Sequence, residues 1–123
     1  MILIDYNDRR PVYEQIAERF KTLILSGVLE EDEKLPSVRA LAVELSINPN
    51  TIQRAFAKLE REGFVYSVKG VGNFVQASES LKEKQKGKLL KEFERYAESC
   101  MRQGILKEVL VEVIRKAAEE AER

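Results

Sequence analysis

The amino-acid sequence predicts a mostly helical α+β fold, in which three helices and a β-hairpin are followed by a tail of two helices. Three observations lead to this prediction. Apolar residues recur at helical spacing in five segments, a turn of three residues joins two of these segments, and two strand-like runs flank a glycine-containing tip. We expect a compact domain at residues 1–76, a linker at 77–80 and the helical tail at 81–123.

The composition is that of a globular protein, but it lacks the residues that many metal sites and active sites require. Hydrophobic residues make up 44% and charged residues 34%, and 21 basic side chains balance 21 acidic ones. Histidine is absent and Cys100 is the only cysteine. These counts exclude a cysteine-rich zinc site, an intramolecular disulfide and histidine-dependent catalysis. We therefore expect no metal, no cofactor and no catalytic residue.

No segment is typical of a secreted or membrane protein. The apolar run within the opening MILIDYNDRR is too short for a signal peptide and instead predicts a short extended arm at ILID. No stretch of the sequence is long and apolar enough to span a bilayer. We expect a cytoplasmic protein without membrane contact.

The first two predicted helices have recognisable ends. RPVYEQIAERFKTLILSG is predicted to be helical, with Pro11 in its first turn and Gly27 just past its end. A connecting loop, with a brief strand at Lys34–Leu35, leads to a second helix that Ser37 can cap. The apolar residues of this helix share one face and predict a buried stripe: Val38, Leu41, Ala42 and Leu45.

A third helix follows after the turn SIN. Asn48 can cap it, Pro49 suits its first position, and Gly63 suits the residue beyond its end at about Glu62. Two short helices joined by a three-residue turn form a helix-turn-helix pattern. The following segment, FVYSVKGVGNFV, predicts a hairpin with its tip at KGVG.

The third helix presents side chains that can bind DNA. At about 100° per residue, its core side is formed by Ile52, Ala55, Phe56 and Leu59. The opposite side holds Asn50, Gln53, Arg54, Ala57 and Arg61. Amide and guanidinium groups can hydrogen-bond to base edges, whereas Lys58 and the free N–H groups of the helix start suit phosphates. The alternative is an ordinary solvated helix face.

Two further places offer cations to a phosphate backbone. Arg39 lies near the start of the second helix and off its apolar stripe, so we expect it to be exposed. The alternative for Arg39 is a surface arginine without a partner in DNA. Lys69, with Gly70 and Gly72, could lie along the backbone or the minor groove. For the two glycines, the alternative is a tight turn that requires them.

The sequence of the tail predicts two helices separated by Gly104. The apolar surface of these helices is too large to be buried within the tail. ILKEVLVEVI is apolar on more than one stripe, which a two-helix hairpin cannot bury alone. We expect a homodimer formed through residues 81–121. The alternative is that the tail folds back on its own domain. The apolar residues expected at the dimer contact are Leu89, Phe93, Tyr96, Leu106, Val109, Leu110, Val113 and Ile114.

These motifs resemble the winged helix-turn-helix of the GntR family of bacterial transcription regulators. LPSVRALA, NPNTIQRAF, LEREGF and KGVGNFV occur in the family's order over residues 2–76 and are similar to its YtrA-type subgroup. The short tail also resembles the two-helix dimerisation module of that subgroup. The resemblance implies a homodimeric repressor that binds a two-fold symmetric, double-stranded DNA operator.

The resemblance also implies positions for the DNA contacts. The helix at about 49–62 would lie in the major groove, and a wing at about 67–74 would lie at the backbone or minor groove. The residues at the family's DNA-contacting positions are Arg39, Pro49, Asn50, Thr51, Gln53 and Arg54, with Lys69, Gly70 and Gly72 in the wing. Two departures are present. Asn73 replaces the usual threonine of the wing, and Ile105 and Leu106 follow Gly104 where a capping serine or aspartate is usual.

Two other classes of function fit the sequence less well. A protein-interaction module would favour large aromatic anchors, which the exposed side of the third helix lacks. An enzyme would need reactive groups in a recognisable arrangement, and the sequence shows no such arrangement.

A small-molecule effector is possible but has no identified site. A metabolite could bind between subunits or between the tail and the N-terminal domain, but no convergent polar groups in the sequence indicate where.

Overall fold

The computed structural model describes residues 4–122 and confirms the mostly helical α+β fold. In chain order the elements are α1 (Val12–Leu25), α2 (Val38–Leu45), α3 (Pro49–Arg61), β1 (Val65–Val68), β2 (Gly72–Val75), α4 (Glu79–Arg102) and α5 (Lys107–Ala121). The chain divides into two compact units, one that ends at Lys82 and one that begins at Glu83. None of the helices within the described range is long and apolar enough to cross a membrane.

The helix-turn-helix forms from local capping interactions. The Ser37 hydroxyl accepts a hydrogen bond from the Ala40 amide at 3.0 Å and caps α2. Ser46 then takes a left-handed conformation, with φ 54°, which turns the chain after α2. The Asn48 side chain accepts from the Asn50 amide at 2.8 Å and caps α3, which begins at Pro49. The predicted caps and three-residue turn are confirmed.

The core of the first unit lies mainly between α1 and α3. The rings of Phe20 and Phe56 meet edge to face, with centroids 5.6 Å apart and planes at 81°. Burial of the predicted core side of α3 is confirmed, because Ile52, Ala55, Phe56 and Leu59 are each at most 3% exposed. Burial of these residues fixes the rotation of α3 about its own axis and so determines which of its side chains face outward.

The hairpin is extended by a third segment of chain. Strands β1 and β2 are antiparallel, with Val65 opposite Val75 and Val68 opposite Gly72. Gly72 thus belongs to β2, and the tip consists of residues 69–71. The segment predicted as a brief strand forms a bridge between Lys34 and Phe74. This segment occupies the outer edge of β2.

Several element ends differ from the predictions by one or two residues. Helix α1 begins at Val12, with Pro11 just before it. Helix α4 begins at Glu79, so half of the predicted linker at 77–80 is helical. Its start is favoured by the Ser78 hydroxyl, which accepts from the Leu81 amide at 3.2 Å. Half of the predicted arm at ILID, residues 2 and 3, lies outside the described residues, and Ile4 and Asp5 belong to neither a helix nor a strand.

The start of the last helix has no polar cap. Helix α5 begins at Lys107, and Leu106 occupies the cap position without a side-chain hydrogen bond. This agrees with the absence of serine or aspartate after Gly104 in the sequence.

Candidate nucleic-acid interface

The side of α3 opposite the core is polar and accessible. Asn50, Gln53 and Arg54 are exposed, as are Pro49 at the helix start and Arg61 near its end. Thr51, Ala57 and Lys58 are half-buried. Amide groups that both donate and accept thus lie one turn apart on a rigid helix. This arrangement suits contact with the edges of bases in a groove as wide as the helix.

The side chain of Arg54 stacks on an aromatic ring of α1, a contact that the sequence did not predict. Its guanidinium carbon lies 4.0 Å from the centroid of the Tyr13 ring on α1. The Tyr13 hydroxyl in turn donates to the Glu14 carboxylate at 3.2 Å. No sequence signal indicates this stacking, because Tyr13 and Arg54 lie far apart in the chain and meet only when α1 packs on α3.

Lys58 is engaged by a carboxylate at the end of its own helix. Its ammonium lies 2.9 Å from Glu62, which also pairs with Lys21 of α1. The hydrogen bond to Glu62 raises the pKa of Lys58. Burial raises the pKa of Glu62, but hydrogen bonds from Lys21 and Lys58 outweigh it and leave that pKa below its ordinary value. The Lys58 charge is therefore partly neutralised within the protein.

Other cations of the first unit are available to an anion. Among residues 4–122, Arg39, Arg61 and Lys69 make no ion pair. All three side chains are exposed. Arg39 lies in the first turn of α2, as predicted from its place off the apolar stripe. Exposed cations without internal partners are the groups that a phosphate backbone attracts.

A side-chain hydrogen bond joins the two strands of the hairpin near its tip. The Ser67 hydroxyl donates to the Asn73 side-chain oxygen at 2.8 Å across the two strands. Asn73 thereby supplies a cross-strand contact at the position where the resemblance led us to expect threonine. The tip residues Lys69, Gly70 and Val71 are exposed.

The base of the hairpin is tied to the preceding loop by Tyr66. Its ring stacks on Phe74 with centroids 5.5 Å apart, and its hydroxyl donates to Asp32 at 2.7 Å. The hydrogen bond to Asp32 raises the pKa of Tyr66. Lys34, which no sequence motif identifies as a site residue, lies in this same loop against Gly72.

The tail has an uncovered apolar surface in the single chain. Of the residues expected at a dimer contact, Leu110 is half-buried and the others are exposed: Leu89, Phe93, Tyr96, Leu106, Val109, Val113 and Ile114. No described residue of α4 or α5 is buried. Over the described part of the tail, the two helices make few contacts with each other. Exposed side chains of this size seldom cluster on a protein surface that has no partner.

Comparison with known proteins relates the first unit to a family of regulators. The family model of the bacterial regulatory proteins of the gntR family matches residues 12–75, from the start of α1 to the end of β2. The chain is 44% identical over 75 residues to the HTH-type transcriptional repressor YtrA of Bacillus subtilis (strain 168). That alignment covers 61% of this chain and 58% of the repressor, so the chain spans little more than half of that relative.

Two solved structures extend the comparison. The GntR family transcriptional regulator from Listeria monocytogenes has a TM-score of 0.76 and 35% sequence identity, and the match covers 90% of this chain and 98% of that one. AraR(DBD), solved in complex with operator ORX1, has a TM-score of 0.56 and 29% identity, over 62% of this chain and 95% of that one. The first likeness includes most of the tail, whereas the second is limited to a DNA-binding domain.

Proposed function

The chain belongs to the GntR family of bacterial regulatory proteins and is a DNA-binding transcriptional regulator, and we propose that it acts as a homodimeric repressor of a two-fold symmetric operator. In this proposal α3 enters the major groove, and the hairpin serves as a wing at the backbone or minor groove. The regulator would act in the cytoplasm on double-stranded DNA.

The observation that carries the proposal is the rotation of α3. Ile52, Phe56 and Leu59 are buried, which turns Asn50, Gln53 and Arg54 outward. These side chains offer amide and guanidinium groups that match the hydrogen-bonding edges of adenine and guanine. The helix N-terminus contributes partial positive charge and free N–H groups for a phosphate.

Repression is the regulatory direction that we favour. The HTH-type relative from Bacillus subtilis is a transcriptional repressor, and the AraR(DBD) complex places a related domain on an operator. A repressor of this kind would act by occupying its operator, which requires no chemistry from the protein. The cations Arg39, Lys58 and Lys69 would position the domain, while Arg54 and Gln53 would select the sequence.

The homodimer is proposed from the apolar faces of the tail. In α5, the apolar residues from Val109 to Ala118 cover about half of the helix circumference, which is more than one narrow stripe, and most of its charged residues lie on the other half. Such a helix needs cover on more than one side, and α4 gives little within one chain. A second copy of the tail would supply the missing cover, because an identical surface is self-complementary across a two-fold axis.

Dimerisation would also explain how a small domain selects one site. A single recognition helix reads few base pairs, and two helices held about one turn of DNA apart, roughly 34 Å, read a longer site with greater binding free energy. A two-fold symmetric protein requires a two-fold symmetric operator.

Selection of bound sites from random double-stranded DNA tests the proposal directly. We expect an enriched sequence with two inverted half-sites at a fixed spacing near one helical turn. Sedimentation of the intact protein at micromolar concentration should give the mass of a dimer. Recovery of no enriched sequence, or of a single unrepeated half-site bound by a monomer, would overturn the proposal.

A further inference from the structure

Lys34 lies at the outer edge of the proposed wing. The segment that contains it is hydrogen-bonded along β2, through the Asp32 amide to the Val75 carbonyl at 2.8 Å and the Leu35 amide to the Asn73 carbonyl at 2.9 Å. Lys34 itself forms an isolated antiparallel β-bridge with Phe74. These hydrogen bonds hold the backbone of Lys34 against β2.

The Lys34 side chain extends across the backbone of Gly72. A Cβ atom placed on Gly72 would lie 3.1 Å from Cε of Lys34 and 3.9 Å from its Nζ. The first distance is shorter than an ordinary van der Waals contact between carbons. Gly72 thus leaves room for the lysine to lie across the wing, with its ammonium beside the strand that leads to the Lys69–Val71 tip.

The Lys34 charge is not neutralised by the acidic residues that precede it. Asp32 accepts from the Tyr66 hydroxyl at 2.7 Å, and Glu33 accepts from the Glu30 amide at 3.1 Å. Lys34 forms no ion pair with another residue in the range 4–122. The side chain is exposed. An anion that approaches the wing would therefore meet an available ammonium group.

We propose that Lys34 is a further DNA-binding residue, which contacts a backbone phosphate of the operator beside the wing. The inference rests on the proposed function, since it adds a residue to the same DNA-binding surface. An ammonium group has three donors and no acceptor, so it acts as a point charge on phosphate oxygens. Such a contact adds affinity for any DNA sequence and contributes no discrimination between sequences.

The salt dependence of binding tests the proposal. Affinities of the intact wild-type protein, Lys34→Gln and Lys34→Arg are measured over a range of salt concentrations. The probes are the operator selected from random DNA and a scrambled duplex of equal length. For Lys34→Gln, we expect the slope of log affinity against log salt to become less steep by about 0.9. Both duplexes should lose affinity by a similar factor, and Lys34→Arg should retain the wild-type slope.

A matched control is available on the second unit. Lys91 is exposed on the polar side of α4 and makes no ion pair within the described chain. Lys91→Gln removes the same charge and should leave the slope unchanged. Thermal unfolding of each variant, followed by circular dichroism, should match the wild type, because Lys34 and Lys91 are both exposed.

The outcomes separate this inference from the proposed function. If the wild type selects an operator but Lys34→Gln keeps the full slope, Lys34 is not a phosphate contact. A loss of affinity for Lys34→Gln without a change in slope would indicate a purely structural role in the wing and would also overturn the inference. Failure of the wild type to select any operator would remove the proposed function, and the inference with it.

Discussion

The guanidinium of Arg54 stacks on the ring of Tyr13, with its central carbon 4.0 Å from the ring centroid. A cation–π contact made by an exposed arginine gains about 0.5–1 kcal/mol, and the N–H donors at the edge of the guanidinium plane remain free to form hydrogen bonds. Arg54 is thus partly ordered before DNA arrives. Because fewer rotamers are lost on binding, a contact made by Arg54 should cost less entropy than one made by a free side chain.

Replacement of Arg54 should weaken sequence discrimination. For Arg54→Ala, we expect the preference for the selected operator over a scrambled duplex to fall by about 1–3 kcal/mol, the range of a bidentate base contact. Competition binding at constant salt measures this preference. Arg54→Lys keeps the charge but removes the planar donors, so it should also lose discrimination. Unchanged operator affinity in Arg54→Ala would show that Arg54 has no part in base recognition.

Removal of Lys69 should weaken binding to all DNA sequences alike. Lys69 is exposed and has no ion partner in the described chain, whereas Lys58 is paired with Glu62 at 2.9 Å. A phosphate contact by Lys58 must compete with that carboxylate. We therefore expect a larger loss of affinity and of salt dependence for Lys69→Ala than for Lys58→Ala, with a slope change of about 0.9 for Lys69. A sequence-dependent loss in Lys69→Ala would instead indicate contact with bases.

Protonation of Glu62 should destabilise the first unit at low pH. Hydrogen bonds from Lys21 and Lys58 outweigh the effect of burial and hold the pKa of Glu62 below its ordinary value. A lowered folded-state pKa contributes stability above the ordinary glutamate pKa of about 4.3. This contribution is lost as the pH falls through the lowered pKa. The free energy of unfolding should therefore fall less between about pH 7 and pH 3 in Glu62→Gln than in the wild type.

Urea unfolding at the two pH values measures this difference. Glu44→Gln provides the control, because Glu44 is exposed on α2 and forms no ion pair within residues 4–122. It should show the pH dependence of the wild type. Equal pH dependence in Glu62→Gln and the wild type would mean that the ion pairs of Glu62 contribute no net stability.

A charge in the tail should prevent dimerisation without unfolding the chain. Val113 is 59% exposed in the single chain, so a carboxylate there costs little in the monomer but would be desolvated in the proposed interface. We expect Val113→Glu to sediment as a monomer at concentrations where the wild type is a dimer, and to bind the operator more weakly. Glu108→Gln, in the first turn of the same helix, should remain dimeric. A dimeric Val113→Glu protein would place the interface elsewhere.

Much of the first unit could be predicted because its signals are local. Ser37 and Asn48 cap the helices that follow them, and the apolar spacing in α3 correctly assigns Ile52 and Phe56 to the core. The cap hydrogen bonds join residues two or three positions apart, and the apolar spacing repeats over three or four residues. The start of α4 was predicted less well, because the polar residues of QASES are compatible with either a linker or a helix cap.

Taken by itself, the sequence determined the order of the elements, the helix caps, the buried side of α3 and the resemblance to a family of regulators, since all of these follow from short-range spacing and residue type. The tertiary structure decided which charges are available. Packing of α1 on α3 places Arg54 on Tyr13 and brings Lys21 to Glu62, while the pairing of a loop with β2 brings Lys34 across Gly72. These partners are distant in the chain, and no local pattern specifies which side chains meet when separate elements pack together.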